Sequence, residues 1–307
     1  MRGKLSLAAL LLTLPMVSSA QLLVGQGMSG DGFGNLYNVD PATCTVTTIG
    51  AMGASITGLA QALDGTLYAT ESTEYNTIND SRLLQIDPLS GVATPVGVLN
   101  DSSGTFVHGA MPDAMFVGST LYAWTEEEDD LTTVNTATGE VTVVGDTGQG
   151  SLSAGSGLST DASGTSWVIP CSGCGGSGPG AGGALYTVNL GTGVITHVVD
   201  LSGDVQGNID AMSFAADGTL YAIEQVPGSP GDSGSPTRLV SVNTTTGVQT
   251  EVCTTAQIPV GLDAIVAAST VPVGPAAIPT ANEWMMAGLA LLIAGAAGMV
   301  VARRRAA

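Results

Sequence analysis

The sequence predicts an all-β, five-bladed β-propeller closed by strands from both ends of the chain, followed by a C-terminal transmembrane helix. Three observations carry this reading. A strand-and-turn unit recurs five times, the first and last inner and outer halves of that unit are separated along the chain, and 43 of 307 residues are glycine while lysine occurs once. Abundant Gly, Thr, Ser and Val with little Lys or Glu favours strands and turns over helices.

Residues 1–20 read as a signal peptide: the basic start MRGK, an apolar run LSLAALLLTLPMV, and the small residues SSA before Gln21. Residues 21–270 are then the propeller. One half of its unit is LYNVDPATC at Leu36, LLQIDPLSG at Leu83, LTTVNTATG at Leu131, LYTVNLGTG at Leu185 and LVSVNTTTG at Leu239, spaced 47, 48, 54 and 54 residues apart. Each is a strand entering a hairpin. Asp40, Asp87, Asn135, Asn189 and Asn243 can bond the backbone two residues on, and Gly91, Gly139, Gly193 and Gly247 supply a positive φ. Cys44 stands where the first copy should have glycine, so that turn is expected to be strained or differently shaped.

The other half is an inner strand, a tight turn and a second strand: GLAQALDGTLYAT from Gly58, DAMFVGSTLYAW from Asp113, GLSTDASGTSWVI from Gly157 and DAMSFAADGTLYAI from Asp210. A fifth inner strand, GLDAIVAAS from Gly261, has no outer strands after it, whereas the first outer strands have no inner strand before them. Joining the two closes a ring. The expected blades are 21–50 with 257–270, 56–100, 109–147, 153–202 and 209–255. The alternative, an open sheet stack, leaves the split unit unexplained.

Residues 271–284 form a linker and motif, 285–302 an uncharged apolar run, and 303–307 a tail opening with Arg303, Arg304 and Arg305. Eighteen helical residues rise about 27 Å, enough for bilayer hydrocarbon, with the arginines on the cytoplasmic side. The segment Ile278-Pro279-Thr280-Ala281-Asn282-Glu283-Trp284 before this run resembles the IPTL-type C-terminal sorting signal of Gram-negative bacteria, with Ala281 in place of the usual Leu. The resemblance implies reading by an exosortase-like membrane protease, and display at the cell surface with a link to exopolymer. The DGTLYA and Asp-Pro phrases of the repeats are similar to those of secreted NHL and YncE-like propellers of undefined function.

Charge excludes one class outright. All acids but Glu283 lie in residues 21–277, and only Arg82 and Arg238 oppose them there, so the surface repels nucleic acid. Gly25–Gly30 matches G-x-G-x-x-G but leads into a turn and strand, so no helix N-terminus awaits a pyrophosphate.

By repeat alignment Asp113, Asp210 and Asp263 stand at the start of three inner strands, where Gly58 and Gly157 stand in the others. Ringing one mouth of the channel, they are candidate ligand-binding residues and candidate ligands of calcium, which takes several oxygens. The other reading is that each caps backbone amides of a neighbouring blade. Arg82 and Arg238 end two long loops at matching positions, either to grip a carboxylated sugar or to pair with local acids. Glu126–Asp130 is a run of five acids, read as a solvated loop. Cys171 and Cys174, in a glycine-rich loop, are expected to form a local disulfide in an exported protein. Cys44 and Cys253 could pair as well, but repeat alignment puts them towards opposite ends of their strands, so the sequence leaves that bridge open.

No G-x-S-x-G or H-E-x-x-H motif is present. The functional expectation is a non-enzymatic surface propeller that binds or scaffolds, with extracellular polysaccharide or envelope proteins as partners. The alternatives are a calcium-dependent hydrolase or lactonase at the channel mouth, with His108 as general base, and a structural coat component.

Overall fold

The computed structural model describes residues 20–27, 34–71, 81–103, 111–125, 130–147, 154–171, 183–203, 208–226 and 235–268. The signal peptide, the sorting motif (Ile278, Pro279, Thr280, Glu283, Trp284), residues 285–302, His108, Glu126–Asp129 and Cys174 lie outside the described residues, as does the side chain of Cys171. Among the described residues no helix is long and apolar enough to cross a membrane.

Among the described residues twenty-one strands follow in order: β1 (Leu22–Gln26), β2 (Asn35–Asp40), β3 (Thr45–Ala51), β4 (Ile56–Gln61), β5 (Leu67–Glu71), β6 (Arg82–Ile86), β7 (Ala93–Val98), β8 (Ala114–Val117), β9 (Thr120–Trp124), β10 (Asp130–Val134) and β11 (Val141–Asp146). They continue with β12 (Ala154–Thr160), β13 (Ser166–Cys171), β14 (Ala184–Val188), β15 (Ile195–Asp200), β16 (Ser202–Gly203), β17 (Ile209–Phe214), β18 (Leu220–Gln225), β19 (Thr237–Val242), β20 (Val248–Cys253) and β21 (Leu262–Ala267). They form five antiparallel blades, and the first is the composite one the sequence predicts, in the order β21-β1-β2-β3. The inner strands neighbour one another as β21, β4, β8, β12, β17 and back to β21, which closes the ring. One addition was not legible in the repeats: β16, from the end of the fourth unit, pairs parallel with β20 and gives the fifth blade an extra outer strand.

The core is divided among the gaps between blades. Leu22, Val24 and Val39 of the first blade meet Ile223, Leu239 and Cys253 of the fifth, and four similar clusters fill the other gaps. A blade therefore buries both faces, which explains why alternation of apolar and polar residues is weak in its middle strands. Leu83-Leu84 and Leu22-Leu23 are adjacent apolar pairs, and all four residues are buried.

The hairpins after the third strands behave as the sequence predicts. The side-chain oxygens of Asp40, Asp87, Asn135, Asn189 and Asn243 accept the amides of Ala42, Leu89, Ala137, Gly191 and Thr245, each at 2.9 Å. Cys44 keeps the same turn rather than reshaping it: at φ 54° it occupies the left-handed position of Gly91, Gly139, Gly193 and Gly247, and its amide donates to Asp40 O at 2.8 Å just as Gly91 donates to Asp87 O.

Register shows what that turn is for. Gly50, Gly97, Gly145, Val199 and Cys253 are equivalent, each opposite the leading leucine of the third strand. In three gaps this residue lies against the turn glycine of the next blade: Gly50 against Gly91, Gly97 against Gly139, Gly145 against Gly193. The approach is so close that a Cβ on Gly97 would stand 1.9 Å from Thr138 O. In the fourth gap Gly247 lies against Val199 and Asp200. In the fifth, cysteine occupies both positions, and Cys44 and Cys253 form a disulfide with Cα atoms 5.6 Å apart. This is the bridge the sequence left open, and against which the strand positions argued. They do sit at opposite ends of their own strands, but the contact is between blades, where the turn of one meets the outer strand of its neighbour.

Candidate functional site

The candidate site is built on the inner strands. The inner edge of each lacks a strand partner, so its channel-side amides need other acceptors. Side chains from other inner strands supply them. Ser159 Oγ accepts Phe214 N at 3.0 Å, and Ser213 Oγ accepts Ala267 N at 2.9 Å. Asp113 does the most: Oδ1 accepts Ala114 N at 2.8 Å, while Oδ2 accepts Leu158 N at 2.7 Å and Met212 N at 3.3 Å. These are the amides of blades three, four and five.

Register separates the three aspartates that repeat alignment groups together. Leu59, Ala114, Leu158, Met212 and Ile265 stand opposite equivalent residues of their second strands, so Asp113 matches Gly58, Gly157, Ala211 and Ala264. Asp210 and Asp263 lie one residue earlier, inside β-bulges, level with Thr57. Matching Asp113 to Asp210 is one residue out because the hairpin of the third blade is shorter: Val117 pairs Thr120 across two residues, whereas Ala215 meets Thr219 across three. A one-residue step in a strand exchanges faces. Asp113 is 1% exposed, whereas Asp210 and Asp263 are half-buried.

Electrostatics follow this placement. Burial pushes the Asp113 carboxyl well above the usual range; the amides of Leu158, Ala114 and Met212 pull it back, and the charge of Asp263 adds to the rise. Asp210 is also pushed well up, first by burial and then by Asp263 and Glu224. Its Oδ2 is closed off from solvent and accepts no hydrogen bond. Asp263 packs over Gly27, where a Cβ would meet its Oδ2 at 2.7 Å. Among the described residues no group of three or more His, Cys, Asp and Glu side chains is placed to hold a metal ion.

Arg82 and Arg238 occupy matching positions at the ends of the second-to-third-strand connections, and both meet internal acids there. Arg82 makes a two-pronged pair with buried Glu71, Nε to Oε2 at 2.5 Å and a second nitrogen to Oε1 at 2.8 Å. Arg238 Nε bonds Glu224 Oε2 at 2.7 Å and approaches Glu251 at 3.6 Å. Glu71 and Glu224 are 2% and 0% exposed, so removing either arginine would take an ion pair from a buried carboxyl group. The same rim position in the first blade holds Gln26 opposite Asn35; Gln26 accepts from Asn35 N and Tyr37 Oη and donates to Val260 O at 2.8 Å. Sequence reasoning found the arginines but missed Glu71, Glu224 and Gln26. Their signal was present: each stands four residues after the leading leucine of its blade's second strand, at its last or next-to-last residue.

No family model matches this sequence, and no curated protein matches it significantly. Solved structures do. A protein of unknown function from Bacteroides caccae aligns over 82% of this chain and 100% of its own at 12% identity, with a TM-score of 0.50. A chain of the nidogen/laminin complex aligns over 81% of this chain and 98% of its own at 14% identity and TM-score 0.49. A protein of unknown function from Bacteroides thetaiotaomicron aligns over 66% and 53% at 14% identity and TM-score 0.45. At 12% identity the likeness to the Bacteroides caccae protein is one of fold, and the strand order and ring closure make this chain a five-bladed β-propeller. The disulfide across its closing gap fits an extracellular or periplasmic protein.

Proposed function

We propose that this protein is a non-enzymatic propeller displayed at the cell surface, a rigid platform that binds or scaffolds extracellular polysaccharide or envelope proteins. The observation that carries the reading is the commitment of the polar rim to holding the platform. Glu71–Arg82, Glu224–Arg238 and Gln26–Asn35 tie second to third strands where their connections leave, and all five such connections leave from the same face. Rigid elements beneath variable connections are how scaffolds carry recognition. The sorting motif Ile278–Trp284 and the apolar run 285–302 would hold the chain in the membrane until an exosortase-like protease acts on it.

The test is a glycan array probed with the secreted ectodomain, residues 21–271, once with calcium and once with chelator. Binding to an acidic or neutral polymer supports the reading, and calcium dependence would restore a role for cations at the mouth. Absence of binding under both conditions counts against polysaccharide as the partner. Removing residues 285–307 should release the protein from the cell envelope; retention would sink the anchoring.

A further inference from the structure

Four blades meet around Asp113, and a charge of the other lies within its reach. Its Cα lies against Gly58 of the second blade, where a Cβ would stand 2.9 Å away. Its own blade is the third, its carboxylate accepts from Leu158 of the fourth and Met212 of the fifth, and it feels the charge of Asp263 in the first. The third and fifth blades are not neighbours in the ring, so the side chain spans the channel. At the same level the other four blades carry only Gly58, Gly157, Ala211 and Ala264, and the amides of Leu59 and Ile265 share the register of the three that Asp113 binds. Converging backbone amides form a favourable cradle for a carboxylate.

We propose that this level of the channel is a carboxylate-accepting ring of inward-facing backbone amides that Asp113 fills from within, so that the chain supplies its own ligand and closes the axial channel there. External ligands are thereby confined to the mouth. The proposal does not depend on what the mouth binds.

The experiment is chemical rescue of the full chain carrying Asp113→Gly, the residue already present at two of the equivalent positions. Formate is the probe, with chloride at matched ionic strength as control. The expected result is a saturable rise in the thermal midpoint of Asp113→Gly with formate and no such rise in the parent protein. Asp113→Asn, which fills the space, should be destabilised without being rescued. Equal effects of formate and chloride on Asp113→Gly would overturn the proposal, as would equal rescue of both variants. Should neither variant fold, amide exchange in the parent protein decides. Leu158 and Met212 must exchange as slowly as the amides paired inside β12 and β17, and fast exchange at either overturns the assignment.

Discussion

The closing gap between the fifth and first blades differs from the other four in how its outer edge is joined. Three gaps bring a strand glycine against a turn glycine, and in the fourth Val199 and Asp200 meet Gly247. The closing gap uses a covalent bond between the equivalent residues, Cys253 and Cys44. In the glycine gaps consecutive blades are already tethered by the chain. The closing gap is tethered through residues 254–261 and packed by Leu22, Val24 and Val39 against Ile223 and Leu239; the disulfide adds a link between residues 209 apart in sequence. It is also the gap where Asp210 of β17 faces the charge of Asp263 of β21. The covalent stitch therefore sits where closure entropy is largest and where two carboxyls oppose each other. Cys44 accepts a left-handed conformation to make it, a strain of about 1–2 kcal/mol for a residue with a Cβ.

Restoring glycine to both positions, Cys44→Gly with Cys253→Gly, should give the largest effect. A loop this long is worth about 4–5 kcal/mol in chain entropy, less the strain relieved at Cys44. Denaturant unfolding of the variant against the oxidised parent measures it, and equal midpoints would show that the non-covalent contacts of the gap close the ring without the disulfide. Gly97→Ala should cost less, about 2–3 kcal/mol, because its new Cβ meets the Thr138 carbonyl and the blades must part. Gly65→Ala is its control. Gly65 has φ 89° and nothing within 4 Å of a new Cβ, so only backbone strain of about 1–2 kcal/mol remains. If Gly65→Ala matched or exceeded Gly97→Ala, close approach would not be the reason for glycine in the gaps.

The smallest effect expected is a slope. Asp210 has its folded pKa raised, so its contribution to stability is fully present below the unfolded value near 3.8 and is lost as pH rises through the folded one. Between those two values Asp210→Asn should gain on the parent as pH rises, and above the folded value the difference should level off. A pH-independent difference would mean that Asp210 carries no extra proton in the fold.

Legibility followed the range of the interactions. The five Asx turns, the split first blade and the left-handed demand at residue 44 could be read locally, because each rests on residues within one hairpin or on exact repetition. Asp210 and Asp263 were placed level with Asp113 by repeat counting, but they stand one residue earlier, because the DAM shared by Asp113 and Asp210 hides a one-residue difference in the length of the following hairpin. Glu71 and Glu224 were visible as residues, but their pairing with Arg82 and Arg238 spans connections of differing length. Cys44 and Cys253 could be counted; their neighbourhood could not.

By itself the sequence determined the repeat, the turn chemistry and the closure of the ring, because hairpins are set by local backbone preference and a split unit has few ways to complete itself. Only the tertiary structure decided which atoms meet between blades. The disulfide and the carboxylate across the channel both join residues from different repeats, and radial packing, which local sequence does not encode, brings them together.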